Sequence, residues 1–294
     1  MKAAINFIIF FLFLSCQQAE KTSCNYITDY YPYTYKAEIE YYLGNYEKSF
    51  ELYKKALKYC EAVGVGTHQD ARIFARVCAK LGKEALALEY IEKRFSNGGI
   101  LQEFQNDSIF TTLLNKKNGQ KIVSDYDLSR TKFIDQLNFE LRSELQNMIK
   151  LDQQNNMTKF QDSMFLVNDK RLVQIFETYG YPSEKVIGPF NVDQIQAEPS
   201  ILLLHSNDSI RLNYFIPKIK KYVEDGQCSP YVLGIMLDNL ELFNDRPQTH
   251  GTYLNGNGGY AKMISDKSKV NSNRKSIGLP PLEISKKLDS LKSL

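Results

Sequence analysis

The sequence predicts an all-α protein: a stack of helical hairpins followed by a second, predominantly helical domain. Three observations carry this expectation. Apolar residues recur at three- and four-residue spacing from residue 31 almost to the C-terminus. Glycines fall where several of these stripes stop, as at helix ends. Strand-like alternation is scarce. The 294 residues are 43% hydrophobic and 24% charged, which excludes a wholly disordered, collagenous or polytopic membrane chain. A formal charge of +3 carries no electrostatic signature of nucleic-acid binding. Five cysteines are too few for a disulfide scaffold.

Residues 1–15 read as a targeting segment. Lys2 precedes an unbroken apolar run from Phe7 to Leu14. As a helix this run spans about 12 Å, far short of a hydrocarbon core of roughly 30 Å. It fits a signal-peptide apolar region and not a membrane span. Leu14, Ser15 and Cys16 follow directly. An apolar residue, a small residue and Cys in this place resemble the bacterial lipobox. The resemblance implies cleavage before Cys16 and acylation of its thiol and new amine, making the membrane a partner through Cys16. Several acyl chains anchor stably where one is marginal. Residues 16–30 are then the lipidated Cys and a linker. No Asp follows Cys16 and no acidic run, so the resemblance implies the periplasmic face of an outer membrane. Cys24, Cys60, Cys78 and Cys228 would sit in an oxidising compartment. Cys60 and Cys78 fall among apolar helical positions, which favours buried free thiols; a Cys60–Cys78 bridge is the alternative. No zinc spacing occurs among them, and no cofactor or metal is expected.

Residues 31–125 read as stacked hairpins. Gly44 ends one helix and turns the chain. Tyr46, Ser49 and Phe50, Tyr53, then Ala56 and Leu57 form the stripe of the next. The small Ser49 allows close helix approach. Ala79 to Gly82 repeats the turn, and Ala85, Ala87, Leu88, Ile91 and Phe95 repeat the stripe. The pattern resembles the tetratricopeptide repeat. Gly44 and Gly82 are 38 residues apart, a 34-residue period plus an insertion at Val63–Thr67. Residues 100–125 read as a degenerate third pair that caps the stack. Such stacks present grooves for peptides or partner helices, so a protein or peptide partner is expected here. Ten of the 19 tyrosines lie between Tyr26 and Tyr59. Helix packing explains them most simply; an aromatic binding face is the alternative. Asn115–Gly119 and Ser124–Arg130 are polar and turn-rich, which places a boundary near residue 130.

Residues 131–294 read as the second domain. Phe133, Leu137, Leu141, Leu145 and Met148 make one amphipathic stripe. Leu172, Ile175, Phe176 and Tyr179 make the next, stopped by Gly180 and Pro182. Helices are expected ending at Ile201–His205, over Ile210–Val223, over Tyr231–Phe243 and after Pro280-Pro281. Gly, Asn and Pro mark residues 247–260 as a loop.

An ordered set of short motifs runs through this half: Leu151-Asp152-Gln153; Asn168 with Arg171; Tyr179-Gly180-Tyr181-Pro182; Leu204-His205-Ser206-Asn207-Asp208; Asp238-Asn239; Gln248 with Gly251-Thr252; and Arg274 to Leu279. Their order and spacing resemble a bacterial domain-of-unknown-function family with the pattern DQxxR, YGWP, QHAD, DR, YGTQ and RxxxGL. The resemblance supports one domain and implies no particular reaction. The chain departs from the pattern at Asn156, Tyr181, Ser206-Asn207, Asn239, His250, Tyr253 and Asn271. Two Arg and one Asp are lost, which puts any chemistry of the family in doubt here.

His205, Asp208, Asp238, Gln248, His250 and Arg274 are the candidate site residues, on the expectation that helix ends and the Gly-rich loop meet at one face. His205 could act as a general base oriented by Asp208 or Asp238. His205, Asp208 and His250 could instead hold a metal. The structural alternatives are a helix-ending His205, an N-cap role for Asp208 with Ser206, and helix pairing by Asp238. No nucleophile-elbow, phosphate-loop or zinc-protease motif occurs in a suitable context. Residues Lys262–Leu294 carry a net charge of +5, read as a solvated face or a contact for anionic head groups. The expected function is a membrane-anchored envelope adaptor. The alternatives are an envelope hydrolase, or a ligand-binding domain without catalysis, with the site around His205 and His250.

Overall fold

The computed structural model describes residues 23–63 and 69–293. The expected signal segment, Cys16 and the insertion after Val63 lie outside the described residues. A π-helical turn (Tyr26–Tyr30) leads into α1 (Tyr31–Tyr42), α2 (Tyr46–Ala56), α3 (Asp70–Lys80), α4 (Glu84–Ser96), α5 (Gln102–Gln105), α6 (Ser108–Leu114) and α7 (Lys117–Ser124). Then come α8 (Tyr126–Asp135), α9 (Phe139–Asn155), α10 (Gln161–Tyr179), α11 (Glu184–Ile187), α12 (Ser200–Leu204) and α13 (Asp208–Ile210). A second π-helical turn (Arg211–Phe215) runs into α14 (Ile216–Glu224), followed by α15 (Pro230–Phe243), α16 (Lys267–Ser276) and α17 (Leu282–Lys292). Among the described residues there is no sheet, only two isolated bridges, Gln248–Met263 and Leu254–Tyr260. The fold is all-α.

The hairpin turns form as the glycines predict. Gly44 has φ +79° and Gly82 has φ +68°. At each, the glycine N–H and the next N–H fold back on the last turn: Gly44 to Tyr41 O and Asn45 to Glu40 O, Gly82 to Ala79 O and Lys83 to Cys78 O. This left-handed cap satisfies carbonyls that a simple helix end leaves open. Ser49 is fully buried, and its Oγ donates to Ala37 O at 2.7 Å across the α1–α2 contact. Ala87 fills the equivalent place in the α3–α4 hairpin and is fully buried. Most of the tyrosines are packing residues. Tyr30, Tyr31 and Tyr53 are fully buried, and Tyr53 packs on Phe74, which meets Tyr90 edge-on.

Two buried clusters form. One joins Ala37, Tyr53 and the inner faces of α3 to α7. The other is built on α9, α10, α12, α14 and α15, and it takes in Ile27, Tyr30, Tyr31, Ala56 and Cys60. The segment expected as a linker therefore contributes buried side chains to the core of the C-terminal half. Residue 130 lies inside α8, whose Phe133 is buried against the bend at Gly98. Ser124–Arg130 is polar because the outer side of α8 faces solvent. α17 lies along α1, with Leu288 buried and Lys292 paired to Glu38 at 2.9 Å.

Cys60 is disulfide-bonded to Cys24, with Cα atoms 5.2 Å apart, while Cys78 and Cys228 are buried free thiols. The expected free Cys60 and the alternative Cys60–Cys78 bridge are both corrected. The turn at Tyr26–Tyr30 returns residue 24 to the end of α2, and Cys78 is held inside α3. No helix among the described residues is long and apolar enough to cross a membrane.

Candidate functional site

The six candidate residues divide into two groups. Asp238 on α15 is fully buried. Its Oδ1 accepts the N–H of Thr249 at 2.7 Å and of His250 at 2.8 Å. Its Oδ2 accepts the N–H and hydroxyl of Thr252 at 2.9 and 2.8 Å. Burial raises the carboxyl, but the donors outweigh it and hold the group below the usual carboxylate range. Gln248 donates to Tyr253 O and Ala261 O and accepts from Tyr253 N. Arg274 donates to Pro280 O at 2.5 Å and to His250 O at 2.7 Å. His250 Nδ1 lies 2.9 Å from Thr249 Oγ1. These four residues are spent on pinning the loop 247–261 to α15 and α16. Such internal satisfaction is what a buried polar cluster requires, and it leaves little for a ligand.

His205 stands apart from them. It is the residue that ends α12, and its Nδ1 lies 2.7 Å from Asp152 Oδ2. Asp152, on α9, is fully buried. Its Oδ1 accepts Asn168 Nδ2 from α10 at 3.1 Å, and its Oδ2 also accepts Gln153 Nε2 at 2.9 Å. The His205 ring stacks on Phe165 with centroids 4.8 Å apart. Its side chain keeps 21% exposure, toward a cleft of about 910 Å³. Neither Asp208 nor Asp238 orients it. Asp152 and Asn168, both in the ordered motif set, do; sequence spacing gives no hint of this, because 53 residues separate Asp152 from His205.

The cleft is polar on its floor and apolar on its rim. Asp169, Ser206, Asn207, Arg211 and Asn239 line the floor. Arg211 is committed internally: it donates to Asn239 Oδ1, Leu204 O and Ser206 O at 2.6, 2.7 and 2.6 Å. Asp169 accepts Asn207 N at 3.0 Å, and burial pushes its carboxyl up. Met157, Leu166 and Phe243 line the rim and are 93%, 55% and 82% exposed. Met157 holds a left-handed φ of 60° with its N–H on Gln161 Oε1. Asn156, Asn207 and Asn239, three of the departures from the resembled pattern, all line this cleft. Asp208 is half exposed at its edge and accepts Asn244 Nδ2 at 2.9 Å. The N-cap expected of Asp208 and Ser206 belongs to Asn207, whose side chain accepts Ser209 N, while Ser206 Oγ donates back to Leu202 O.

His205, Asp208 and His250 do not form a ligand set, and no group of three or more His, Cys, Asp or Glu among the described residues is placed to hold a metal ion. No family model, no curated protein and no solved structure matches the chain.

Proposed function

We propose that this chain is a lipid-anchored envelope protein whose C-terminal half takes a small ligand in the His205 cleft. The carrying observation is the His205–Asp152 pair at the floor of that cleft. A carboxylate buried without a cation is costly, and here only amides and an imidazole meet it. That arrangement holds one imidazole nitrogen inward and leaves the other to the cleft. Concavity, a few convergent polar groups and an apolar rim are the ordinary make-up of a small-molecule site. The Leu14-Ser15-Cys16 motif supports the anchor, and Cys16→Ser should move the protein to the soluble fraction. The site is tested by spectra of the protein with labelled histidine, titrated with small esters, amides and amines. Shifts at His205 with His250 unmoved are expected, and their loss in Asn207→Leu. Shifts confined to His250, or none, would refute the site.

The helical hairpins favour a second reading, an adaptor that holds a protein or peptide through residues 31–125. α17 of the same chain lies on α1, so this reading uses the remaining faces of α2 to α4. Cross-linked recovery from native envelopes tests it. A partner kept by His205→Ala and lost on charge reversal at the exposed Lys54, Lys55 and Lys83 of the hairpins supports the adaptor.

A further inference from the structure

We infer that His205 is the general base of a hydrolytic site for uncharged or cationic carboxylic esters and amides, acting from the cleft proposed above. The inference rests on that ligand reading and deepens it.

The geometry begins with Asp152. Its Oδ2 faces His205 Nδ1 at 2.7 Å, and the carboxylate is fully buried. A carboxylate only accepts, so Nδ1 must carry a proton. Nε2 of the neutral ring is then an acceptor, in the part of the side chain that remains exposed to the cleft. Asn168 and Gln153 fix the carboxylate, and Phe165 fixes the ring plane. A base oriented by a buried third group is the arrangement that proton abstraction in hydrolysis needs.

The surroundings select the substrate. Asp162, Asp169 and Asp208 line the cleft, and the one cation among its described lining residues, Arg211, gives both Nη groups to three oxygens of the chain, while its Nε is buried without a hydrogen bond. Phosphate and carboxylate groups would meet three carboxylates against a single guanidinium whose Nη groups are engaged and whose Nε is buried. A carbonyl oxygen needs only neutral donors as charge develops. Asn156 and Asn207 line the cleft, and no hydrogen bond among the described residues uses their side-chain NH2 groups. The exposed Met157, Leu166 and Phe243 offer apolar surface to an acyl or aromatic group.

The step balances without a cofactor. Nε2 takes a proton from water as the water oxygen bonds to the carbonyl carbon. The tetrahedral adduct expels the alcohol or amine, and the imidazolium returns the proton to that leaving group. Water and ester give acid and alcohol, with nothing oxidised or reduced.

The test uses the full chain in detergent with p-nitrophenyl acetate, p-nitrophenyl butyrate, lysine p-nitroanilide and p-nitrophenyl phosphate. Turnover of at least one of the first three, with none of the phosphate, is expected. His205→Gln should lower kcat/KM by about 10²-fold or more. Asp152→Asn, a change at a positioning residue, should lower kcat with KM little changed. Nitrogen spectra of the resting protein should show His205 protonated at Nδ1, and Asp152→Asn should change that pattern. Equal turnover by His205→Gln, or a ring protonated at Nε2 alone, overturns the inference. Shifts at His205 on adding these compounds without any turnover leave the ligand site standing and remove the base. Neither shift nor turnover removes both.

Discussion

Asp70 is the residue whose environment most directly sets a solution property. It is buried beside two phenols, with Tyr30 OH donating at 2.8 Å and Tyr53 OH at 3.4 Å. Desolvation outweighs these bonds and raises its carboxyl to about 6. A raised carboxyl favours the folded state while protonated. Its contribution is complete below the unfolded value near 4 and is lost as pH rises through about 6. Asp70→Asn should flatten this part of the stability curve, removing a difference of about 2 kcal/mol between pH 4 and pH 7. Denaturant melts of both proteins at the two pH values measure it; parallel curves would contradict it. Asp238 has the opposite character. Asp238→Ala strands three backbone N–H groups, so we expect a loss of about 3 kcal/mol and release of residues 247–261 to protease. His250→Ala should cost far less. Motif order brought His205, Asp208, Asp238, Gln248, His250 and Arg274 to attention as one set; packing keeps the last four together and puts His205 and Asp208 at another cleft. Their chemistry was misread because a list of polar residues does not tell a loop clamp from a site. Asp152 went unselected because its partner is made by packing α9 against α10 and α12, which no local pattern encodes.

At the scale of elements, periodicity was informative where a helix is amphipathic and capped. The helices around Gly44, Gly82, Gly180 and Pro280-Pro281 follow from stripes and stops. The polar Asn115–Gly119 stretch misled, because Gly119 serves α7 by packing and not by turning. A Cβ there would come within 2.2 Å of Leu113 O and 2.6 Å of Leu114 Cα. Both are backbone atoms, so Gly119→Ala should destabilise by about 1–3 kcal/mol despite its better helix propensity. A thermal melt showing equal or higher stability would rule out that contact. The disulfide also escaped the sequence, since Cys24 lies where a linker was expected. It closes a separation of 36 residues around α1 and α2. Loop entropy assigns it about 4 kcal/mol, which Cys24→Ser with Cys60→Ser should remove in a denaturant melt.

For the whole molecule, the interlocking of the halves is the main result that patterning could not supply. Tyr30 and Tyr31 enter the core of α9 to α15, and α17 returns to α1. Gly278, at φ +87°, has Tyr31 against it, where a Cβ would lie 2.9 Å from the ring. The segment around Tyr30 and Tyr31 and the C-terminal helices thus meet across the helical body. We expect calorimetry to show one cooperative transition. Tyr31→Ala should lower it as a unit, because that ring touches elements of both halves. Two separated transitions would show that the contacts between the halves are incidental.

The Cys24–Cys60 bond has a consequence for reach. Under the anchor proposed at Cys16, eight peptide steps of sequence would be the leash between the bilayer and Cys24. At about 3.5 Å per step the leash measures ~28 Å at full stretch. Cys60 fastens its far end to the end of α2, so the turn at Tyr26–Tyr30 cannot pay out as extra length. Under that proposal the protein would be a moored station, working within one body length of the lipid surface and meeting there whatever it handles.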